Sequence, residues 1–181
     1  MYISKSKVVI SLVAIVSLLA ALFLFTRPDP NADNEIETDL VINQCYRTDS
    51  CESAKLLAIT MIEQRADERL VKATLQRGSV VDPDNDNFSV KWDNKKYTMF
   101  ALCSNYRPRI AFENEDGYIA EEFDLANVPG AAVNSSNLYL GICHGTSQDQ
   151  VRKNPIHYGY QASPDGGRGQ FTISKPVDLF N

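Results

Sequence analysis

Four cysteines are the residues of this chain that offer the most chemistry, because a thiolate can act as a nucleophile, bind a metal or enter a disulfide. None of them forms a C-x-x-C pair, the spacing typical of zinc sites and redox-active dithiols. An even number of cysteines without that spacing favours structural disulfides in an exported domain. Three pairings are open, of which we favour the local pair Cys45–Cys51 together with Cys103–Cys143; buried free thiols are the alternative.

A thiol enzyme is the catalytic alternative. Cys143 precedes His144, but neighbouring side chains on a strand point to opposite faces, so this pair cannot form a dyad if the segment is a strand. His157 is then the remaining candidate base for Cys143. The chain contains neither G-x-S-x-G nor H-E-x-x-H. We therefore predict no enzymatic activity and no cofactor, with a thiol-dependent or other envelope hydrolase kept as an alternative function.

An acidic segment has the alternating carboxylates of a calcium loop. Asp82, Asp84 and Asp86 alternate along the chain, and Asp93 stands at the twelfth position counted from Asp82. Alternate carboxylates of such a loop converge on one hard cation. However, the sixth position is Asn87 rather than glycine, and a strand rather than a helix is predicted to come after it. A solvated connection is therefore the favoured interpretation, and calcium is the alternative.

Basic residues gather around one predicted central strand of an otherwise acidic chain. A local positive patch suits an acidic partner surface or an anionic ligand, and exposed aromatic residues are typical of recognition sites. The alternative is a solvated rim with half-buried tyrosines. The candidate residues of a partner-binding patch are Lys95, Lys96, Arg107, Arg109, Tyr158 and Tyr160.

The charge balance excludes one class of partner. Of 18 basic and 23 acidic residues, Lys5, Lys7, Arg27 and Asp29 precede residue 31, which leaves 15 basic and 22 acidic residues and a net charge of −7. Binding to the phosphates of a nucleic acid needs a basic surface. We therefore predict no nucleic-acid partner.

An apolar run of eighteen residues, 8–25, contains only Ser11 and Ser17 as polar residues. Eighteen residues of helix span about 27 Å, close to the hydrocarbon thickness of a bilayer. We predict a single-pass signal anchor in the inner membrane, with a cleaved signal peptide as the alternative. Lys5 and Lys7 lie in a short tail, residues 1–7, that we place in the cytoplasm. Residues 26–40 are predicted to form a polar tether, and residues 41–181 a periplasmic domain.

The elements of this domain predict an α+β fold. Residues 50–77 carry apolar side chains at spacings of three and four, which predicts a long amphipathic helix. The remainder predicts about seven strands in a curved antiparallel sheet or small barrel, on which the helix packs. The predicted strands span residues 88–92, 97–103, 109–112, 118–123, 138–143, 157–161 and 170–174, with turns at 93–95 and at Asn114–Gly117.

These observations predict a membrane-anchored, non-catalytic protein that binds another membrane or periplasmic protein of a bacterial cell envelope. An accessory subunit, a component of a transmembrane sensor and an immunity or inhibitor protein all fit this description. The main alternative is a module that binds a small, lipid-like ligand in an apolar pocket of the curved sheet, because some strands are apolar on both faces.

Overall fold

The computed structural model describes residues 35–44, 52–81, 89–145, 151, 154–160 and 168–181. The chain divides into two units, Met1–Asp33 and Asn34–Asn181, and all described residues belong to the second. The predicted tail and membrane anchor, the pair Cys45–Cys51, and the carboxylates of Asp82, Asp84 and Asp86 lie outside the described residues. Among the residues that are described, no helix combines the length and the apolar composition needed to cross a membrane.

An antiparallel sheet is the main element, and its described part has eight strands and one α-helix, which agrees with a predicted α+β fold. The order across the sheet is β1-β3-β4-β5-β6-β7-β8, and β2 also pairs with β3. In the described ranges, β8 and the β1/β2 pair lie at opposite ends of this order, so these strands do not close into the predicted small barrel. The strands are β1 (Glu35–Glu37), β2 (Val41–Gln44), β3 (Glu52–Arg65), β4 (Glu68–Val81), β5 (Ser89–Cys103), β6 (Arg109–Asn114), β7 (Gly117–Glu122) and β8 (Gly169–Ile173).

The prediction of a long helix over residues 50–77 is wrong. The described part of this range, from Glu52 onward, forms the β3–β4 hairpin, which reverses at Ala66 and Asp67. Ala66 has a φ of +50°, the left-handed conformation that a tight hairpin turn requires.

Bulges explain why this hairpin has the spacing of a helix. Leu56 pairs with Leu75 and Ile59 pairs with Ala73, so Leu56 and Ile59 share a face of the sheet although they are three residues apart. The register shift at Leu57 accounts for the extra residue, and a second shift occurs further along β3. A bulge adds one residue to one strand, which turns an alternation of two into a spacing of three.

A helix replaces the predicted strand 138–143. These residues belong to α1 (Val133–His144), which ends at Gly145 with a φ of +61°. Leu138, Tyr139 and Leu140 are consecutive and all buried. A continuous apolar run of this kind is compatible with a buried strand or a buried helix, and periodicity does not distinguish them.

The predicted turn at residues 93–95 is a bulge within β5 rather than a break between two strands. Lys96 pairs with Gln76 and Trp92 pairs with Gly78, so residues 93–95 lie opposite Arg77 alone. The side-chain amide of Gln76 donates a hydrogen bond of 2.6 Å to the main-chain oxygen of Asp93. Gly78 leaves room for the ring of Trp92, which would overlap a Cβ at that position.

The hairpin at Asn114–Gly117 is confirmed. β6 and β7 pair in register from Arg109–Glu122 to Asn114–Gly117, and Gly117 has a φ of +135°. β8 pairs with β7, which confirms a strand at residues 170–174 within one residue. His157 lies in the 3₁₀ helix Pro155–Tyr158 and not in a strand.

Part of the predicted tether belongs to the sheet. Ile36 in β1 pairs with Ile59 in β3, and the main-chain oxygen of Leu40 accepts a hydrogen bond of 2.8 Å from Leu56. Leu40 also packs against the hydrophobic core. Residues 35–40 are therefore structural, which corrects the predicted boundary of 26–40.

The two faces of the sheet carry separate hydrophobic clusters. The larger cluster joins β3, β4, β5 and β6 to α1, with Leu56, Leu75 and Ala101 on the sheet and Leu140 on the helix. The smaller cluster lies on the opposite face, where the 3₁₀ helix Pro176–Phe180 packs against β5, β6 and β8. The candidate site lies on the face that α1 covers.

Candidate functional site

The C-terminal half of α1 is fastened to the sheet. The predicted disulfide Cys103–Cys143 is present and joins the end of β5 to the last turn of the helix. Two residues before Cys143, Gly141 lies against the side chain of Ile42 in β2, at a distance that leaves no room for a Cβ. A glycine is required for this close approach.

A chain of hydrogen bonds runs beside the disulfide. The Tyr139 hydroxyl donates to the main-chain oxygen of Ser104 and accepts from the main-chain nitrogen of the same residue, both at 3.1 Å. The Tyr160 hydroxyl donates to Tyr139 at 3.2 Å and forms a short hydrogen bond with Nε2 of His144.

Burial holds this network in its neutral form. It raises the pKa of Tyr139 well above the usual value and that of Tyr160 to about 12. It also lowers the pKa of His144, an effect to which the charge of Arg69 adds. Burial therefore favours the uncharged form of all three groups, and their hydrogen bonds connect α1 to Ser104 and Tyr160. No sequence pattern connects the residues of this network, since Ser104, α1 and Tyr160 are three separate segments of the chain.

A pocket of about 490 Å³ lies between the first turns of α1 and the sheet. Its interior wall combines sheet and helix residues: Tyr97, Met99, Ile110, Phe112, Ser135 and Leu138. Met99, Ile110 and Leu138 are buried, and Phe112 is partly buried. Burial raises the pKa of Tyr97, which keeps its hydroxyl protonated and available as a hydrogen-bond donor. The wall is therefore mostly apolar, with a few polar groups.

The mouth of the pocket is charged. Arg77 and Glu52 form an ion pair across β3 and β4, with 3.0 Å between Nη2 and Oε2. Asp93, Lys95 and Lys96 of β5 complete the mouth. In the part of the chain that the structure describes, neither lysine takes part in an ion pair. The mouth carries one more positive charge than negative charges, although the chain as a whole has a net charge of −5.

A buried carboxyl group lies next to the inner wall. Glu121 on β7 pairs with Ile110 and is only 7% exposed. Burial raises its pKa, while a hydrogen bond with Ser135 acts in the opposite direction. Its second oxygen, Oε2, has no hydrogen-bond partner among the described residues. Glu121 was not singled out in the sequence because a glutamate in a hairpin strand gives no signal of burial.

The structure divides the predicted partner-binding patch. Lys95 and Lys96 lie together at the mouth of the pocket. Arg107 forms a bidentate pair with Glu68, with both nitrogen–oxygen distances at 2.8 Å, and lowers the pKa of that carboxyl group. Tyr158 is partly buried against the ring of His144.

Arg109 and Tyr160 do not fit an exposed patch, which corrects the prediction. Arg109 is 5% exposed, and its guanidinium binds Glu122 at 2.6 Å and the main-chain oxygen of Leu179 at 2.7 Å. Both partners lie on the sheet face opposite α1, so Arg109 holds the C-terminal 3₁₀ helix in place. Tyr160 is 2% exposed within its hydrogen-bonded network with Tyr139 and His144.

The structure describes some of the residues of the predicted thiol dyad and of the predicted calcium loop. Cys143 is in the disulfide, so its sulfur is not available as a nucleophile toward a base such as His157. Asp93 lies at the mouth of the pocket, whereas the other carboxylates of the acidic segment lie outside the described residues. Across the described ranges, no group of three or more His, Cys, Asp or Glu side chains could hold a metal ion.

Comparison with known proteins adds no assignment. No protein-family model, no curated protein and no solved structure matches this chain. The geometry of the pocket is therefore the observation from which a function can be inferred.

Proposed function

We propose that this protein is a non-catalytic binding protein that holds a small, largely apolar ligand between α1 and the sheet. The pocket of about 490 Å³ carries the proposal. Ligand sites typically have volumes of roughly 300–1,000 Å³, with mostly apolar walls and a few polar groups that orient the ligand. Met99, Ile110, Phe112 and Leu138 supply the apolar wall, and the Tyr97 hydroxyl and Ser135 supply polar groups.

The attachment of α1 supports a preformed pocket. The Cys103–Cys143 disulfide and the Tyr139–Ser104 hydrogen bonds hold the C-terminal half of the helix, whereas Ser135 and Leu138 over the pocket lie in its first half. A ligand that enters a site held open in this way does not have to order it first.

The location of the protein is part of the proposal. We place the binding domain in the periplasm, held at the inner membrane by residues 8–25. The length of the apolar run and the lysines before it support this topology. The Cys103–Cys143 disulfide is consistent with an oxidising compartment.

The proposal can be tested by methyl NMR because the chain has only three methionines, Met1, Met61 and Met99. Met99 lines the pocket, and Met61 is 40% exposed on β3 outside it. With [¹³C-methyl]methionine in the full chain in lipid nanodiscs, we expect octanol and decanol to shift Met99 and leave Met61 in place. Each added methylene should strengthen binding about fourfold, from about 0.8 kcal/mol per buried methylene.

A blocked pocket provides the control. Leu138→Trp places a larger ring at the wall and should abolish the Met99 shift, whereas Ile156→Trp changes an exposed residue outside the pocket and should not. The proposal fails if saturating octanol and decanol leave Met99 unshifted, or if Met61 and Met99 shift together.

Binding to another envelope protein is the second candidate, and the edge of β3 favours it. β1 and β2 cover β3 as far as Thr60, and beyond it the described strands leave the outer side of β3 unpaired. Met61 and Ile62, which are 40% and 43% exposed, lie on this edge. An open strand edge with apolar side chains is a typical place for strand addition by a partner. Capture of a stoichiometric protein partner that Met61→Lys and Ile62→Lys abolish, and that Ile156→Lys retains, would support this candidate.

A further inference from the structure

We infer that the ligand of this pocket is an anionic amphiphile, with an aliphatic body against Met99 and a negatively charged head at Lys95 and Lys96. This inference rests on the proposed function, because it names the chemical class of the ligand in the same pocket. The observation behind it is the arrangement of charges at the mouth in relation to the apolar wall.

The two ends of the pocket differ in chemistry along a single strand. Met99, which is 2% exposed, lies in the wall, and Lys95 lies four residues earlier on β5 at the mouth. Four residues of extended strand span about 13 Å. A ligand that contacts both residues therefore needs an apolar segment of roughly that length and a polar group at one end.

The charges at the mouth select the sign of that polar group. Glu52 and Arg77 neutralise each other in an ion pair. Lys95 and Lys96 are exposed, and within the described residues no carboxylate pairs with either of them. Asp93 supplies one opposing charge at the same mouth, so the unpaired groups sum to one positive charge. An anion gains from this arrangement and a cation does not.

Lys95 and Lys96 line the pocket where the bulge in β5 ends. Lys95 is the last of the three residues, 93–95, that lie opposite Arg77 alone, and Lys96 resumes the regular register by pairing with Gln76. Consecutive side chains of a regular strand point to opposite faces, so the bulge accounts for the position of Lys95 and not for that of Lys96.

The head group is tested with ligands of equal chain length. Using the Met99 methyl signal of the full chain in nanodiscs of neutral lipid, we compare decanoate, decanol and decylammonium at neutral pH. An exposed ion pair typically strengthens an association by a factor of roughly two to five. With two lysines, we expect decanoate to bind roughly tenfold more tightly than decanol and decylammonium to bind most weakly.

Matched lysine variants test the residues themselves. Lys95→Met with Lys96→Met should weaken decanoate roughly tenfold and leave decanol unchanged. Lys91→Met is the control, because Lys91 is an exposed lysine of the same strand that does not line the pocket. The inference is overturned if decylammonium binds as tightly as decanoate, or if the double variant binds decanoate like the unaltered protein.

The two failures can be told apart. If none of the three probes shifts Met99, the proposed pocket function itself fails. If all three shift Met99 with equal affinity, an apolar ligand site remains and only the anionic head is refuted.

A final comparison identifies the source of the anion. A Met99 shift in nanodiscs that contain phosphatidylglycerol, with no added amphiphile, would assign the head to a membrane phospholipid. A shift with decanoate alone would assign it to a free carboxylic acid.

Discussion

Removal of the Cys103–Cys143 disulfide is expected to destabilise the domain strongly without changing its fold. The sequence separation of the two cysteines is 40. For a loop of this length, the chain-entropy relation gives about 13 cal/mol/K, or about 4 kcal/mol at 25 °C. In a domain of this size, about 1 kcal/mol corresponds to roughly 2–4 °C in Tm, so we expect a decrease of roughly 8–16 °C.

The contacts around the disulfide explain why the fold should survive. Tyr139 remains hydrogen-bonded to both main-chain groups of Ser104, and Gly141 remains packed against Ile42. These contacts hold α1 on the sheet in the folded state. The effect of the disulfide is therefore mainly on the unfolded chain, whose freedom it restricts.

The measurement is urea unfolding of Cys103→Ala/Cys143→Ala in the full chain, monitored by the fluorescence of Trp92, the single tryptophan. Cys45→Ala/Cys51→Ala is the matched comparison. Its predicted loop has a sequence separation of 6, for which the same relation gives about 2 kcal/mol. The reasoning is refuted if the 103/143 variant loses less than about 1 kcal/mol while the parent protein releases the corresponding thiols only after reduction.

Three further predictions concern stability. Glu121→Gln should stabilise the protein by about 1 kcal/mol at neutral pH, because burial raises the pKa of this carboxyl group and its charged form lacks a partner for Oε2. Because the pKa of Glu121 is raised in the folded state, the protein becomes less stable as pH rises above about 4.5 and this carboxyl group ionises. The advantage of Glu121→Gln in the free energy of unfolding should therefore vanish in urea titrations near pH 4. An advantage that does not change with pH contradicts this prediction. Glu68→Gln should lower the free energy of unfolding by about 1–2 kcal/mol at pH 7, because it removes the bidentate pair with Arg107 that lowers the pKa of Glu68. The stability that this pair confers is lost as pH falls below about 4.5. Equal Tm values for the variant and the parent protein at pH 7 would disprove this prediction. Ala66→Gly should raise stability by up to about 1 kcal/mol, because glycine tolerates the φ of +50° at the hairpin turn; a lower Tm in calorimetry would show that the turn is not strained.

Local turn chemistry was predictable from the sequence, whereas the β3–β4 hairpin and α1 were not. The β6–β7 hairpin is predictable from Gly117, whose φ of +135° only glycine adopts readily. The β3–β4 hairpin was predicted as a helix because the bulge at Leu57 places Leu56 and Ile59 on one face. Such a bulge is defined by the partner strand, so a single strand read alone does not reveal it.

The residues of the candidate site also divide into features that the sequence predicted and features that it did not. Lys95 and Lys96 were recognised as part of a positive patch, and only the structure shows that they line a pocket, with Lys95 in the bulge opposite Arg77 and Lys96 paired with Gln76. Arg109 has the same residue type as Arg107 but is buried, because its strand partner Glu122 and the C-terminal 3₁₀ helix enclose it. Residue type thus indicated charge, and the packing of neighbouring strands determined exposure.

The sequence by itself determined the acidic balance of the chain and a tight turn at Gly117, which depend on composition or on a few adjacent residues. It left three cysteine pairings open, and the tertiary structure shows Cys103 bonded to Cys143. Only the tertiary structure decided that residues 133–144 form a helix and that this helix leaves a pocket over β5 and β6. The physical reason is that a continuous apolar run can bury its side chains equally well as a strand or as a helix. The choice between them is made by the surface against which the run packs.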